Sequence, residues 1–163
     1  MARYGRAYPV RPILSRRIAA ATAAITGTAT ASITEADVVT GGKTIVITLT
    51  NDEWVAAGAT FDGQRQNIIN GIDSAQAEAT GWDAVVKATQ GVAGVVRTSA
   101  TVVTVTLDAF ATYNITATET ITVTVPATAL SGATAVVGSP TFTVAAAGAA
   151  NRRRYSLTTS GVG

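Results

Sequence analysis

Apolar and polar residues alternate along much of this chain. In KTIVITLT (43–50), Ile45, Ile47 and Leu49 fall on one face, and Thr44, Val46, Thr48 and Thr50 on the other. TVVTVTL (101–107) repeats the pattern with Val103, Val105 and Leu107, and ETITVTV (119–125) with Ile121, Val123 and Val125. A period of two marks strands with one buried face. TATASI (28–33), Asp83 to Lys87, Gly94 to Arg97 and PTFTVA (140–145) are further short strand candidates. Thr40-Gly41-Gly42 reads as a turn, Asn51-Asp52 ends the strand that follows it, and Pro126 stops another because it has no N–H to give a ladder.

One stretch changes period. Ile68, Ile69, Ile72, Ala75 and Ala79 follow helical spacing and predict an inserted α-helix over about 62–79, with Asp62 as N-cap and Gly81 as the stop. Gly71 inside it costs about 1 kcal/mol relative to Ala and leaves room for a break or kink. Six or seven short strands with one helical crossover predict an antiparallel two-sheet sandwich. Residues 18–27 form an Ala/Thr transition with room for a short helix. Before it, Pro9 and Pro12 hold residues 1–17 extended, with Tyr4, Tyr8, Ile13 and Leu14 as apolar anchors. The expected division is an N-terminal arm (1–27), a sandwich (28–147) and a C-terminal tail (148–163).

Composition fits one domain. The chain has 163 residues, 47% of them hydrophobic and only 13% charged, so it supports one packed core with a Thr-rich surface. Charge alters the picture more. Arg3, Arg6, Arg11, Arg16 and Arg17 precede Ile18, and Arg152, Arg153 and Arg154 follow Ala150, with no acid in either segment. The stretch between them sets Lys43, Arg65, Lys87 and Arg97 against ten acids. The arms thus carry +8 and the middle −6. All eight arm cations are arginine, the side chain suited to bidentate pairing with carboxylate or phosphate.

Candidate chemistry is sparse. With neither Cys nor His, thiolate and imidazole mechanisms are excluded, and a metal would need oxygen ligands alone. TGGKT (40–44) resembles the end of a phosphate loop, but Asp37 stands where that motif needs Gly, and a strand follows instead of a helix. Glu35 with Asp37, and Asp52 with Glu53, lack the spacing of a dedicated calcium loop and read as solvated turn acids. Asn114-Ile115-Thr116 matches a glycosylation acceptor that a turn equally explains. Trp54 and Trp82 flank the expected helix and read as core plugs rather than stacking platforms. No catalytic, cofactor-binding or metal-binding residue is expected. No run of 18 strongly apolar residues points to a membrane span. A secretory leader ending in IAAATAAITGTATA is disfavoured by its Ala/Thr content and by the two prolines ahead of it.

The expected partner-binding residues are therefore in the arms: Arg3, Tyr4, Arg6, Tyr8, Arg11, Arg16, Arg17, Arg152, Arg153, Arg154 and Tyr155. Interleaved Arg and Tyr also suit nucleic acid, but the acidic middle and its lack of a basic cluster disfavour that partner. ATASITEADVVTGGKTIVITLTNDEWV, FDGQRQNIINGIDSAQAEATGWDAVV and VVRTSATVVTVTLD resemble immunoglobulin-like domains of tailed-bacteriophage structural proteins, over roughly residues 28–145. The likeness is one of pattern, and the arms lie outside it. It implies an immunoglobulin-like sandwich, a place in the virion and no enzyme activity. Among virion roles, the expectation is a multi-copy capsid decoration or cement protein on the head exterior, held to the major capsid protein or another virion protein. The alternative is a tail or fibre-attachment component whose sandwich binds carbohydrate.

Overall fold

The computed structural model describes residues 22–29, 33–132 and 136–148. Alternation becomes strand where it was clearest. The strands are β1 (Ala24–Ala29), β2 (Ile33–Thr34), β3 (Thr44–Thr50), β4 (Ile72–Ser74), β5 (Val95–Arg97), β6 (Val102–Thr106), β7 (Glu119–Val123) and β8 (Thr141–Ala145). They form two four-stranded sheets, ordered β1-β3-β6-β5 and β2-β8-β7-β4. Among the described strands, every pairing is antiparallel except β2 with β8, where Ile33 faces Val144, and a lone parallel bridge joins Ala24 to Val137. The two sheets make a β-sandwich.

The core is the set of inward positions. Ile45, Ile47 and Leu49 of β3 meet Val103 and Val105 of β6, and Ile121 and Val123 of β7 close from the other sheet, all at most 2% exposed. Each fully buried side chain of this size contributes on the order of 1.5–3 kcal/mol. The outward positions are mostly Thr. In the first sheet β1, β3 and β6 hold no ionisable residue. Arg97 of β5 pairs with buried Val103 and so lies on the inward register. An inward charge on an edge strand is a known guard against edge-to-edge pairing.

The expected helix over 62–79 is not continuous. Two short helices, α2 (Ala59–Asp62) and α3 (Arg65–Asn70), replace its first half, and its second half is β4 followed by a loop. The break falls at Gly71, whose carbonyl accepts from Thr124 N at 2.7 Å and starts the pairing with β7. A Cβ on Gly71 would lie 2.1 Å from Thr124 O, so only glycine allows this approach. Ile72 is then buried by strand geometry rather than by a helical face. Asp62 ends α2 instead of capping a helix, and pairs with Arg65 at 2.7 Å.

Three further expectations are corrected. Residues 83–87 are not a strand. Trp82–Lys87 is a π-helical turn, which buries Trp82 and Val86 together, four residues apart. Among the described residues the first strand begins at Ala24, inside the segment expected as arm, rather than at Thr28. A helix absent from the expectation, α1 (Glu35–Thr40), precedes the Gly41-Gly42 turn. Thr34 caps it: Thr34 N and Oγ1 donate to Asp37 Oδ2 at 2.9 and 2.8 Å, and Asp37 N donates back to Thr34 Oγ1 at 3.2 Å. These bonds, with Lys43 3.5 Å away, hold the Asp37 carboxyl below the usual carboxylate range.

Candidate functional site

The eleven expected partner-binding residues, Arg3, Tyr4, Arg6, Tyr8, Arg11, Arg16, Arg17, Arg152, Arg153, Arg154 and Tyr155, lie outside the described residues. What the structure places is the root of each arm. On the N-terminal side, Asn51 Nδ2 donates to Thr22 O at 3.2 Å, and Ala24 pairs with Thr50, the last residue of β3. On the C-terminal side, Ala147 N donates to Glu35 Oε2 at 3.0 Å, just past the pairing of Ala145 with Thr34.

These roots lie at opposite ends of the sandwich. Glu35 opens α1, which leads through Gly42 to the start of β3, while Thr22 sits at the finish of β3. The second sheet agrees. Val144 near the end of β8 pairs with Glu119 at the start of β7, whereas the chain beyond β7 returns to the Thr22 end. There Ser131 N donates to Glu53 O at 2.8 Å, and Val55 N to Ala129 O at 2.9 Å.

The body's own cations are spoken for. Lys43 pairs with Asp37 and Arg65 with Asp62, while Arg65 also lies over the Phe61 ring at 5.9 Å. Lys87 contacts Asp73, which raises the Lys87 pKa above the usual lysine value. Arg97 Nη2 reaches Trp54 O at 3.5 Å. No basic cluster forms among these four. Most acids tie down loops: Asp108 accepts from Gly91 N at 2.7 Å, Asp83 from Ser74 N at 3.0 Å, and Asp52 from Gly132 N at 3.0 Å. Of the acids read as turn acids, Asp52 ties a loop, whereas Glu35 and Asp37 fall in the first turn of α1.

Glu119 is the exception. It is fully buried and shares the inward parity of Ile121 and Val123. Oε2 accepts from Tyr113 Oη at 2.7 Å and from Trp82 N at 3.0 Å, with Oε1 3.2 Å from the same N–H. Burial first, then the bond to Glu119 and its charge, push the Tyr113 pKa far above the usual phenol value. The carboxylate thus joins β7 to the π-helical turn and to the loop before β7. Its oxygens face donors of the protein rather than a cleft, so the arrangement is a structural tie.

Trp54 and Trp82 are 1% and 2% exposed. Trp82 Nε1 donates to Ile72 O at 2.9 Å, and its ring meets Phe142 edge-on with centroids 5.8 Å apart. Neither ring offers a face to a sugar. A crevice beside Trp82, bounded by Ile69, Ile72, Val86 and Gln90, encloses about 10 Å³, room for one water at most. Asn114 is exposed, and Thr116 of the same triplet donates its hydroxyl to Glu78 at 3.1 Å. No family model, curated protein or solved structure matches the chain. Glu119 is a buried tie that the alternation could have revealed, because it occupies an inward position of β7.

Proposed function

We propose that this chain is a non-enzymatic structural protein of a virus particle: a capsid decoration or cement protein whose arginine-rich arms anchor it to an acidic protein lattice. The observation that carries this reading is the charge split, with +8 in two acid-free arms and −6 in the body between them. The body repels phosphate-rich partners and leaves the arms to make contact. Arginine in both arms suits bidentate pairing with carboxylates on a neighbouring subunit, as it does with phosphate. Arms that become ordered on binding wrap a large area, while the ordering entropy limits net affinity. Many copies on a repeating lattice suit such a contact.

We read the fold as immunoglobulin-like. With β1 and β2 taken as two halves of a first strand A, the strands from β3 to β8 become B to G. The sheets are then A-B-E-D and, with the second half of A at its edge, G-F-C. That is the strand partition of immunoglobulin domains. The likeness of residues 28–145 to bacteriophage domains supports a virion location.

The test is attachment. A chain lacking residues 1–17 is added to purified shells that lack this protein, beside the full chain. The full chain is expected to bind to saturation and the truncated chain to stay in the supernatant. Equal occupancy would end the anchoring role of the N-terminal arm.

A further inference from the structure

We infer that Asn70-Gly71 is a latent modification site: the native body shields it from succinimide formation, and a chain converted there to isoaspartate while open cannot close again. Nothing in this depends on where the protein acts.

The sequence holds one Asn-Gly pair, and it falls where α3 hands over to β4. The chemistry needs no partner but water. The Gly71 amide nitrogen loses its proton and attacks Asn70 Cγ. A C–N bond forms, the side-chain amide leaves as ammonia, and a five-membered succinimide remains. Water then opens the ring at either carbonyl, giving aspartate or isoaspartate. Glycine favours the attack in an open chain, because it has no Cβ to obstruct ring closure.

The fold cannot dispense with that glycine. A Cβ at position 71 would lie 2.1 Å from Thr124 O, so the junction that seats β4 on β7 keeps the hazard. What the fold supplies is restraint. Asn70 belongs to α3, and Gly71 continues its helical geometry with φ −80° and ψ −6°. The attacking nitrogen is engaged: Gly71 N donates to Asn67 O and to Ile68 O, both at 3.1 Å. The Gly71 carbonyl is held by Thr124 N at 2.7 Å. Asn70 is exposed, so water reaches its side chain. Yet its Cγ meets Gly71 N only if the peptide between the two residues turns out of helical geometry. Turning it frees Gly71 from Thr124 and undoes the pairing of Ile72 with Val123. Conversion therefore tracks the fraction of chains in which β4 has left β7.

The product supplies the lock. Isoaspartate routes the main chain through the former side chain and adds one methylene between α3 and β4. Gly71 no longer meets Thr124. Ile72, buried in the core, is displaced, and so is its carbonyl, which accepts from Trp82 Nε1 at 2.9 Å. A close-packed core does not absorb such a shift. Plain aspartate at the same exposed position leaves the main chain unchanged and is tolerated.

The full chain is aged at mildly alkaline pH in buffer and in urea, beside full-length Asn70→Gln. Peptide mapping by mass spectrometry follows amide loss at Asn70 and separates isoaspartate from aspartate. All samples are then returned to buffer and digested briefly with thermolysin. Conversion is expected to be at least about tenfold slower in buffer than in urea. The protease-resistant body is expected to retain aspartate at position 70 and to be depleted of isoaspartate by about tenfold or more. Asn70→Gln should keep its resistance through the same ageing in urea. Equal rates in buffer and urea would overturn the shielding. An equal share of isoaspartate in the resistant body would overturn the lock, and so would Asn70→Gln losing resistance as fast as the parent chain.

Discussion

Tyr113 donates its hydroxyl to Glu119 at 2.7 Å, and both side chains are buried. The pair connects the loop after β6 to the first residue of β7, with Trp82 N as a further donor. Tyr113→Phe removes one donor and leaves the carboxylate under-bonded, at a cost of about 1–3 kcal/mol. Glu119→Gln is expected to cost a similar amount. Urea titration of both single variants and the double variant gives the coupling between them. A coupling above about 0.5 kcal/mol is expected for residues in contact; strictly additive losses would contradict the bond.

Alkaline pH supplies a second check on Tyr113. Its folded-state pKa is raised above the ordinary 10.0, so the fold prefers the protonated phenol. That contribution is complete below about pH 10 and declines as pH rises, because the unfolded chain ionises first. Stability should fall by about 1.4 kcal/mol per pH unit beyond that point on account of this residue. Denaturation midpoints between pH 9 and about 11 should show the decline in the native chain and a shallower one in Tyr113→Phe.

Two glycines should respond oppositely to alanine. A Cβ on Gly81 would lie 2.3 Å from Glu119 Oε1, inside a network that has no slack. Gly81→Ala is therefore expected to cost about 2 kcal/mol or more. Gly63 has φ −66° and would place its Cβ no closer than 3.6 Å to other atoms. Gly63→Ala should be neutral or stabilising by about 0.4–1 kcal/mol. Thermal melts of the two variants make the comparison.

Trp54 and Trp82 should behave as core residues. Their fluorescence is expected to be blue-shifted and shielded from iodide, and unaltered by added oligosaccharides. Quenching by sugar would restore the carbohydrate-binding alternative that their burial disfavours.

Strand positions were legible where one residue in two is aliphatic, as in Ile45, Ile47 and Leu49. Ile68, Ile69 and Ile72 misled because the same spacing serves a continuous helix or a short helix followed by a strand. Only the close approach of Gly71 to Thr124 decides between them, and that contact is tertiary. The capping box of α1 was visible as Thr34-x-x-Asp37, but six residues before a Gly-Gly turn left little helical periodicity to read. Trp82 and Val86 carry a helical pair signal that adjacent Val85 obscures. Glu119 shares the parity of Ile121 and Val123, but an ionisable residue type alone carries no sequence signal of burial. The arm residues were legible as composition, and composition does not say where their roots emerge. Their opposed exits follow from strand order, which depends on contacts far apart in sequence.

The central claim is that this protein coats a shell and is held there by its arms. The most direct measurement of that proposal is the abundance of this chain, relative to the shell subunit, in purified virus particles. The account predicts a copy number that rises in step with the shell subunit, released by high salt as arginine contacts are screened. A copy number far below that of the shell subunit, or a chain absent from the particle, would contradict it.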